Sequence, residues 1–212
     1  MDLETLQATW TQAKETFMEI LHSPVVEHAI RLAAVAHKSQ KRKSSGIPYI
    51  AHPMSVCLIL MKAGFHEEAI LAAAVLHDVV EDTDLTIEQL TEHFSADVIQ
   101  YVKEMTEEKE TSEGKKWNWR DRKQAHIDIM RQATLGARAI ELADKLHNLE
   151  AMLFDLQTEN RQKFWGHFGA SPAEIVQYYH SMIEAAGQSD PRLESLVKNC
   201  NVRLDELKNY LP

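Results

Sequence analysis

Apolar residues recur every three to four positions along most of this chain, the spacing that places them on one face of an α-helix. The first such run, residues 2–22, opens at Asp2 and carries apolar side chains such as Leu6 and Trp10. The same periodicity predicts further helices, at about residues 24–40, 52–64, 71–84, 95–105, 117–132, 136–153, 172–186 and 191–209, with a short one after Thr86.

Signals for helix starts support these boundaries. Ser23 followed by Pro24 places an N-cap residue before a proline at the first helical position. Thr86 with Gln89 matches a capping box, in which each side chain bonds the backbone N–H of the other residue. Residues 107–116 are polar, charged and interrupted by glycine, which predicts a loop.

We therefore predict an all-α fold with a single compact domain over residues 1–212. Its catalytic core spans about residues 24–186, and the helices at 2–22 and 191–209 are additions to that core. The apolar faces of these two helices either complete the core or form the surface of a homo-oligomer.

One stretch organises the chain: Leu71–Asp84, with the sequence LAAAVLHDVVEDTD. Its first turns are apolar, and four polar side chains follow together at the end. Residues four apart share a face of a helix, so His77 is expected beneath Glu81 and Asp78 beneath Asp82. Buried charges need partners, and a bound cation supplies one.

Composition narrows the function classes. Hydrophobic residues make up 44% of the 212 residues, enough for a core, and 7 glycines and 6 prolines argue against a turn-rich β fold. A net charge of −9 argues against a nonspecific nucleic-acid binder. Cys57 and Cys200 lie far apart, as expected of free thiols in a reducing compartment. We find no signal peptide and no apolar run of 18 residues, and so expect a soluble cytoplasmic protein without membrane partners.

The residues that suit a metal are His52, at a predicted helix start, the pair His77-Asp78, and Asp144, on a largely apolar helix. An acidic residue such as Asp144 is there either paired with a lysine or arginine or bound to a metal. Two imidazoles and two carboxylates suit Mn²⁺, Fe²⁺, Zn²⁺ or Mg²⁺ with positions left for water and substrate. Asn148 lies one turn beyond Asp144 on the same face.

Glu81 and Asp82 follow the His-Asp pair by one turn. They are either the end of a solvated helix or a pair of carboxylates that orients and deprotonates an attacking water. Their alignment with the predicted metal ligands favours the second interpretation.

Two basic clusters stand out against the acidic background. The first precedes His52 and suits phosphate oxygens, although such runs are commonly solvated; it comprises Lys41, Arg42, Lys43 and Ser44. The second is more typical of a solvated helix face, with a supporting role over a polyphosphate as the alternative; it comprises Lys115, Lys116, Arg120, Arg122 and Lys123.

Three blocks, AHKSQKRKSSGIPYIAHP, AAAVLHDVVEDTD and ELADKLHNL, resemble the HD-type hydrolase domain of the RelA/SpoT-homologue alarmone enzymes. The resemblance covers about residues 28–185. It implies hydrolysis of the 3′-pyrophosphate of ppGpp or pppGpp, giving GDP or GTP and pyrophosphate. It also implies one bound Mn²⁺, water activation by Glu81 and Asp82, and nucleotide contacts from Arg42, Lys43, Ser44 and Asn148. The ligands it implies for the Mn²⁺ are His52, His77, Asp78 and Asp144.

Family members that also synthesise alarmone carry further domains after the hydrolase, and a chain ending at Pro212 is expected to be a small stand-alone hydrolase. Two alternatives remain. The same site could remove the 2′-phosphate of NADPH, or the domain could be a non-catalytic nucleotide-binding module. The presence of both Glu81 and Asp82 argues against the module.

Overall fold

The computed structural model describes residues 23–42, 45–109, 114, 116–158, 160–188 and 190–212. The helix predicted over residues 2–22 and two residues of the first basic cluster, Lys43 and Ser44, lie outside the described residues. Within the described part of the chain, no helix is both long enough and apolar enough to cross a membrane.

Regular secondary structure among the described residues is helical, apart from isolated bridge residues such as the antiparallel pair Lys41 and Pro48. The all-α prediction is therefore confirmed. The helices are α1 (Pro24–Ala36), α2 (Ala51–Lys62), α3 (Glu68–Leu76), α4 (Val79–Asp82), α5 (Ile87–Thr91), α6 (Ala96–Met105), α7 (Trp119–Met130), α8 (Leu135–Thr158), α9 (Arg161–Trp165), α10 (Pro172–Ala186) and, after a 3₁₀ turn at Pro191–Leu193, α11 (Glu194–Lys208).

The predicted helix caps form as the sequence indicates. The Ser23 hydroxyl accepts a hydrogen bond from the Val26 N–H at 3.2 Å. The capping box of Thr86 and Gln89 is complete, with both reciprocal bonds present. Each bond satisfies a backbone group that has no partner inside the helix.

The stretch predicted as one helix over residues 71–84 is in fact two helices, because α3 ends at Leu76 and α4 begins at Val79. The Nδ1 atom of His77 lies 2.7 Å from the carbonyl oxygen of Ala74. In a continuous helix that carbonyl would accept from the N–H of Asp78, so a side-chain donor has replaced a backbone donor. The Asp82 N–H still donates to the Asp78 carbonyl at 2.9 Å, which keeps these two residues one turn apart.

Two helix ends differ from the prediction by about four residues or more, and one helix was not predicted. Helix α1 ends at Ala36 rather than near residue 40, and α8 continues to Thr158 rather than stopping near residue 153. The short helix α9 has no counterpart in the prediction, because its five residues contain too little periodicity to be recognised. Asn160 caps it by accepting from the N–H of Gln162 at 2.9 Å.

Helix α8 is the central element, with α2, α6, α10 and α11 packed against it. Helix α3 is enclosed by α1, α2, α6 and α8, and its residues 70–76 are all buried. Alanine at three of these positions lets neighbouring helices approach closely on every side. The apolar face of α11, including Leu204 and Leu207, lies in the same core. This packing delivers the end of α3 and the middle of α8 to one buried place.

Candidate metal centre and active site

Three predicted ligands meet where α2, α3 and α8 converge. One ligand atom from each of His52, His77 and Asp144 lies within 4.8 Å of the others, and all three residues are buried. Asp144 Oδ1 is 3.0 Å from His52 Nε2 and 3.8 Å from His77 Nε2. His77 and Asp144 are 67 positions apart in sequence and yet belong to one cluster.

The protonation pattern of His77 suits a cation. Because the Ala74 carbonyl can only accept, His77 Nδ1 must carry a hydrogen, so in the neutral ring the lone pair is on Nε2. Nε2 is buried and has no hydrogen-bond partner among the described residues, although Asp78 Oδ2 lies 3.0 Å away. A lone pair and a carboxylate oxygen at this distance require a proton or a cation between them.

Asp78 lies beside the three-residue cluster. Its Oδ2 atom is 3.5 Å from His52 Nε2 and accepts a hydrogen bond from the Tyr49 hydroxyl at 2.7 Å. Burial, reinforced by the Asp78 charge, raises the pKa of Tyr49 far above its ordinary value, so the phenol stays a donor. Sequence reasoning missed Tyr49. Its position three residues before His52 could have indicated that it lies near the metal ligands.

Burial and charge act in opposite directions on the histidines. Burial alone lowers the pKa of His77, but the carboxylates of Asp78 and Asp144 outweigh it and raise that pKa to about 9. A cation bound at Nε2 therefore displaces a proton. Burial, with His52 and Arg42 nearby, lowers the pKa of His147 to about 4. The neutral His147 ring lies with its Nδ1 atom 2.7 Å from His52 Nδ1, which leaves His52 Nε2 facing the cluster.

Glu81 and Asp82 line the same cavity as the cluster, one turn after His77 and Asp78. Burial raises the pKa of Glu81, and the carboxylates of Glu107 and Asp78 act in the same direction. Lys109, from the polar loop, opposes them: its Nζ atom is 3.5 Å from Asp82 Oδ1 and 3.9 Å from Glu81 Oε1. Sequence reasoning did not single out Lys109.

The cavity has a volume of about 690 Å³ and room for a ligand of nucleotide size. On one side Arg42 donates to Asn148 Oδ1 at 2.6 Å, and Asn148 Nδ2 donates to Asp144 Oδ1 at 2.6 Å. These two predicted substrate residues are therefore connected directly to the ligand cluster. The lining also includes an apolar group from α8, α9 and the residues that follow α9, namely Met152, Phe164 and Phe168.

The second basic cluster was predicted to be a solvated helix face, and this is wrong for two of its members. Arg122 and Lys123 line the cavity and pair with buried Glu107, at 3.1 and 2.5 Å. Arg120 is exposed and pairs with Glu174, as a solvated face requires. Lys116 is exposed, and Lys115 lies outside the described residues. The difference arises because α7 packs against α10 with one side toward the cavity.

The fold and the site define a class of protein: all-α domains with a buried cluster of histidines and aspartates. The sequence profile described as HD domain matches residues 29–168. The chain belongs to the HD-domain family and, within it, to the family of the guanosine-3′,5′-bis(diphosphate) 3′-pyrophosphohydrolase MESH1.

Three relatives support this membership. The human protein of that name is 40% identical over 123 residues, which cover 57% of this chain and 65% of the relative. The Drosophila melanogaster protein is 36% identical over 153 residues, which cover 71% of this chain and 76% of the relative. A solved structure, described as "A metazoan ortholog of SpoT hydrolyzes ppGpp and plays a role in starvation responses", superposes with a TM-score of 0.69 at 27% identity. It covers 88% of this chain and 95% of its own. The chain thus spans just under two thirds of the human relative and more of the others.

Proposed function

We propose that this protein hydrolyses the 3′-pyrophosphate of guanosine tetra- and pentaphosphate, releasing GDP or GTP and pyrophosphate. The observation that carries the proposal is the buried cluster of His52, His77 and Asp144 in a cavity of nucleotide size, with Glu81 and Asp82 on its wall. The relatives named for this reaction share the family and most of the domain. We also propose that the catalytic core extends over about residues 24–186.

We infer that His52, His77, Asp78 and Asp144 hold one divalent cation, and that Mn²⁺ is that cation. The buried Nε2 atom of His77, 3.0 Å from Asp78 Oδ2 and 3.8 Å from Asp144 Oδ1, supports this assignment, because a cation there would replace the proton. A mixed set of imidazole and carboxylate ligands is compatible with Mn²⁺. When bound, such a cation lowers the pKa of a water and polarises a phosphoryl oxygen.

We assign proton removal from the attacking water to Glu81 and Asp82. Both face the cavity one turn from the ligand cluster, and Glu81 has a raised pKa, which suits a general base. Lys109 lies within 4 Å of both carboxylates, and its positive charge reduces the repulsion between their negative charges. Tyr49 and His147 orient Asp78 and His52 from behind.

We assign substrate binding to Arg42, Lys43, Ser44 and Asn148. Arg42 lines the cavity and has a guanidinium group that suits phosphate oxygens. Asn148 borders the apolar wall, where a nucleoside would be placed beside Met152 and Phe168. Arg122 and Lys123 also line the cavity and supply further positive charge for a polyphosphate.

Metal removal tests the assignment. Metal-stripped protein is expected to release no GDP or pyrophosphate from ppGpp, and added Mn²⁺ is expected to restore turnover. NADPH, assayed in parallel, is expected to be a much poorer substrate. Absence of ppGpp turnover by folded, Mn²⁺-loaded protein would contradict the proposal. NADPH turnover would then favour the 2′-phosphatase, and inactivity on both would favour a nucleotide-binding module.

Arg42→Met tests the phosphate contact. Loss of a charge-assisted hydrogen bond costs about 1.5–3 kcal/mol, so KM for ppGpp is expected to rise roughly 10- to 100-fold. Mn²⁺ affinity is expected to stay within about threefold of the native value, since Arg42 touches no ligand atom directly. Arg31→Met is the matched control, because Arg31 is exposed and pairs with Glu27 on α1. An unchanged KM in Arg42→Met would remove Arg42 from the binding site.

A further inference from the structure

Lys145 is a buried lysine held between two buried carboxylates. It is 7% exposed, and its Nζ atom lies 2.8 Å from Glu141 Oε1 and 2.6 Å from Asp144 Oδ2. Glu141 is fixed from its other side by His126, whose Nε2 atom is 3.3 Å from Glu141 Oε2. The chain of contacts therefore runs from α7 through α8 and ends on a predicted metal ligand.

The two oxygens of Asp144 face different neighbours. Oδ1 points at the imidazoles of His52 and His77 and accepts from Asn148. Oδ2 is taken up by the Lys145 ammonium. The carboxylate plane is therefore fixed at both oxygens, and only one of them faces the cluster.

We propose that Lys145 is a positioning residue that holds Oδ2 of Asp144 and so makes Asp144 a ligand through one oxygen only. The coordination position that a second oxygen would occupy is thereby kept for water or substrate. This inference rests on the metal site of the proposed function. It concerns the geometry of one ligand and holds whichever phosphorylated nucleotide is the substrate.

Stability alone does not account for this arrangement. Buried ion pairs contribute little net stability compared with apolar residues of similar volume, because both charges lose their hydration. An ammonium group next to a ligand oxygen also repels the cation that the ligand is to bind. Lys145 opposes cation binding electrostatically, so its presence beside Asp144 needs another reason. Fixing the orientation of the Asp144 carboxylate is such a reason.

Three variants test the proposal. Lys145→Met removes the ammonium and frees Oδ2, but it leaves Glu141 without its main partner. Glu141→Gln keeps a carbonyl oxygen for Lys145 and leaves the contact with Asp144 in place. The double variant, Glu141→Gln with Lys145→Met, removes one charge of each sign, so the net charge of the buried network is unchanged and the fold is expected to be retained.

The measurements are made with Mn²⁺ alone, before any substrate is added. Water-proton relaxation gives the number of exchangeable waters on the bound Mn²⁺, and electron paramagnetic resonance titration gives its affinity. Lys145→Met and the double variant are expected to bind Mn²⁺ at least as tightly as native protein and to carry one water fewer. Their kcat on ppGpp is expected to fall about 10- to 100-fold. Glu141→Gln is expected to keep the native water number.

Two results would overturn the proposal. One is an unchanged water number in both variants that lack Lys145. The other is weakened Mn²⁺ binding in Lys145→Met that recovers with thermal stability in the double variant, which would make the role structural only. Failure of native protein to bind Mn²⁺ would instead contradict the metal centre itself. If native protein bound Mn²⁺ but did not hydrolyse ppGpp, the proposed substrate would be wrong. The number of waters on the bound Mn²⁺ would still test the role of Lys145.

Discussion

Asp144→Asn is expected to lower the rate of ppGpp hydrolysis by at least about a thousandfold, because the substitution removes the charge that joins the ligand cluster together. Asp144 Oδ1 lies within 4 Å of both imidazoles, 3.0 Å from His52 Nε2 and 3.8 Å from His77 Nε2. An amide of the same shape is a much weaker ligand for a hard divalent cation. Mn²⁺ affinity, measured by titration, and GDP release are expected to fall together.

The fold is expected to survive this substitution. Lys145 retains Glu141 as a partner, so the buried ammonium is not left unpaired. Asp205→Asn is the matched control, since Asp205 pairs with Lys208 on the exposed side of α11 and lies away from the cavity. Its activity and Mn²⁺ affinity are expected to match those of native protein. Asp144→Asn protein that kept more than a tenth of native turnover would remove Asp144 from the metal site.

Glu81→Gln is expected to lower kcat about 10²- to 10⁴-fold, the usual contribution of a general base, while Mn²⁺ binding and KM change little. Glutamine keeps the size and hydrogen-bonding atoms of the side chain but cannot take a proton from water. A fall in kcat without a loss of Mn²⁺ affinity therefore distinguishes Glu81 from the metal-ligand residues. Glu88→Gln on α5, where the side chain is exposed, is the matched control.

The pH profile gives a second signature of Glu81. Burial first, then the Glu107, Asp78 and Asp82 carboxylates, raise its pKa above the ordinary value of 4.5. The base acts only when ionised, so native kcat is expected to fall as the pH drops through this raised pKa. In Glu81→Gln this acidic limb is expected to disappear from the residual activity. A limb of the same midpoint in the variant would assign the titration to another group.

The sequence predicted most of the helices because their signals are local. Apolar periodicity, N-cap serines and the capping box of Thr86 each involve residues within one or two turns. The break after Leu76 escaped prediction because it depends on the rotamer of His77, whose ring bonds the Ala74 carbonyl. Periodicity alone cannot indicate that a side chain will replace the next backbone donor.

The candidate site was predicted in part. Sequence reasoning offered two fates for Asp144, pairing with a basic residue or binding a metal, and the structure places its two oxygens differently. Oδ2 pairs with Lys145, and Oδ1 faces the imidazoles. The two interpretations were treated as exclusive because a sequence pattern shows which residues are present but not which partner each oxygen of a carboxylate has.

By itself the sequence determined the helical class, the order of the three motif blocks and the chemical types of the candidate ligands, since all of these follow from neighbours along the chain. Tertiary structure alone decided which of those residues meet. It placed Lys109 beside Glu81 and Asp82, turned Arg122 and Lys123 toward Glu107, and positioned Tyr49 against Asp78. Such contacts depend on how α2, α3, α7 and α8 pack, and packing is fixed by the shapes of many side chains at once rather than by any local spacing.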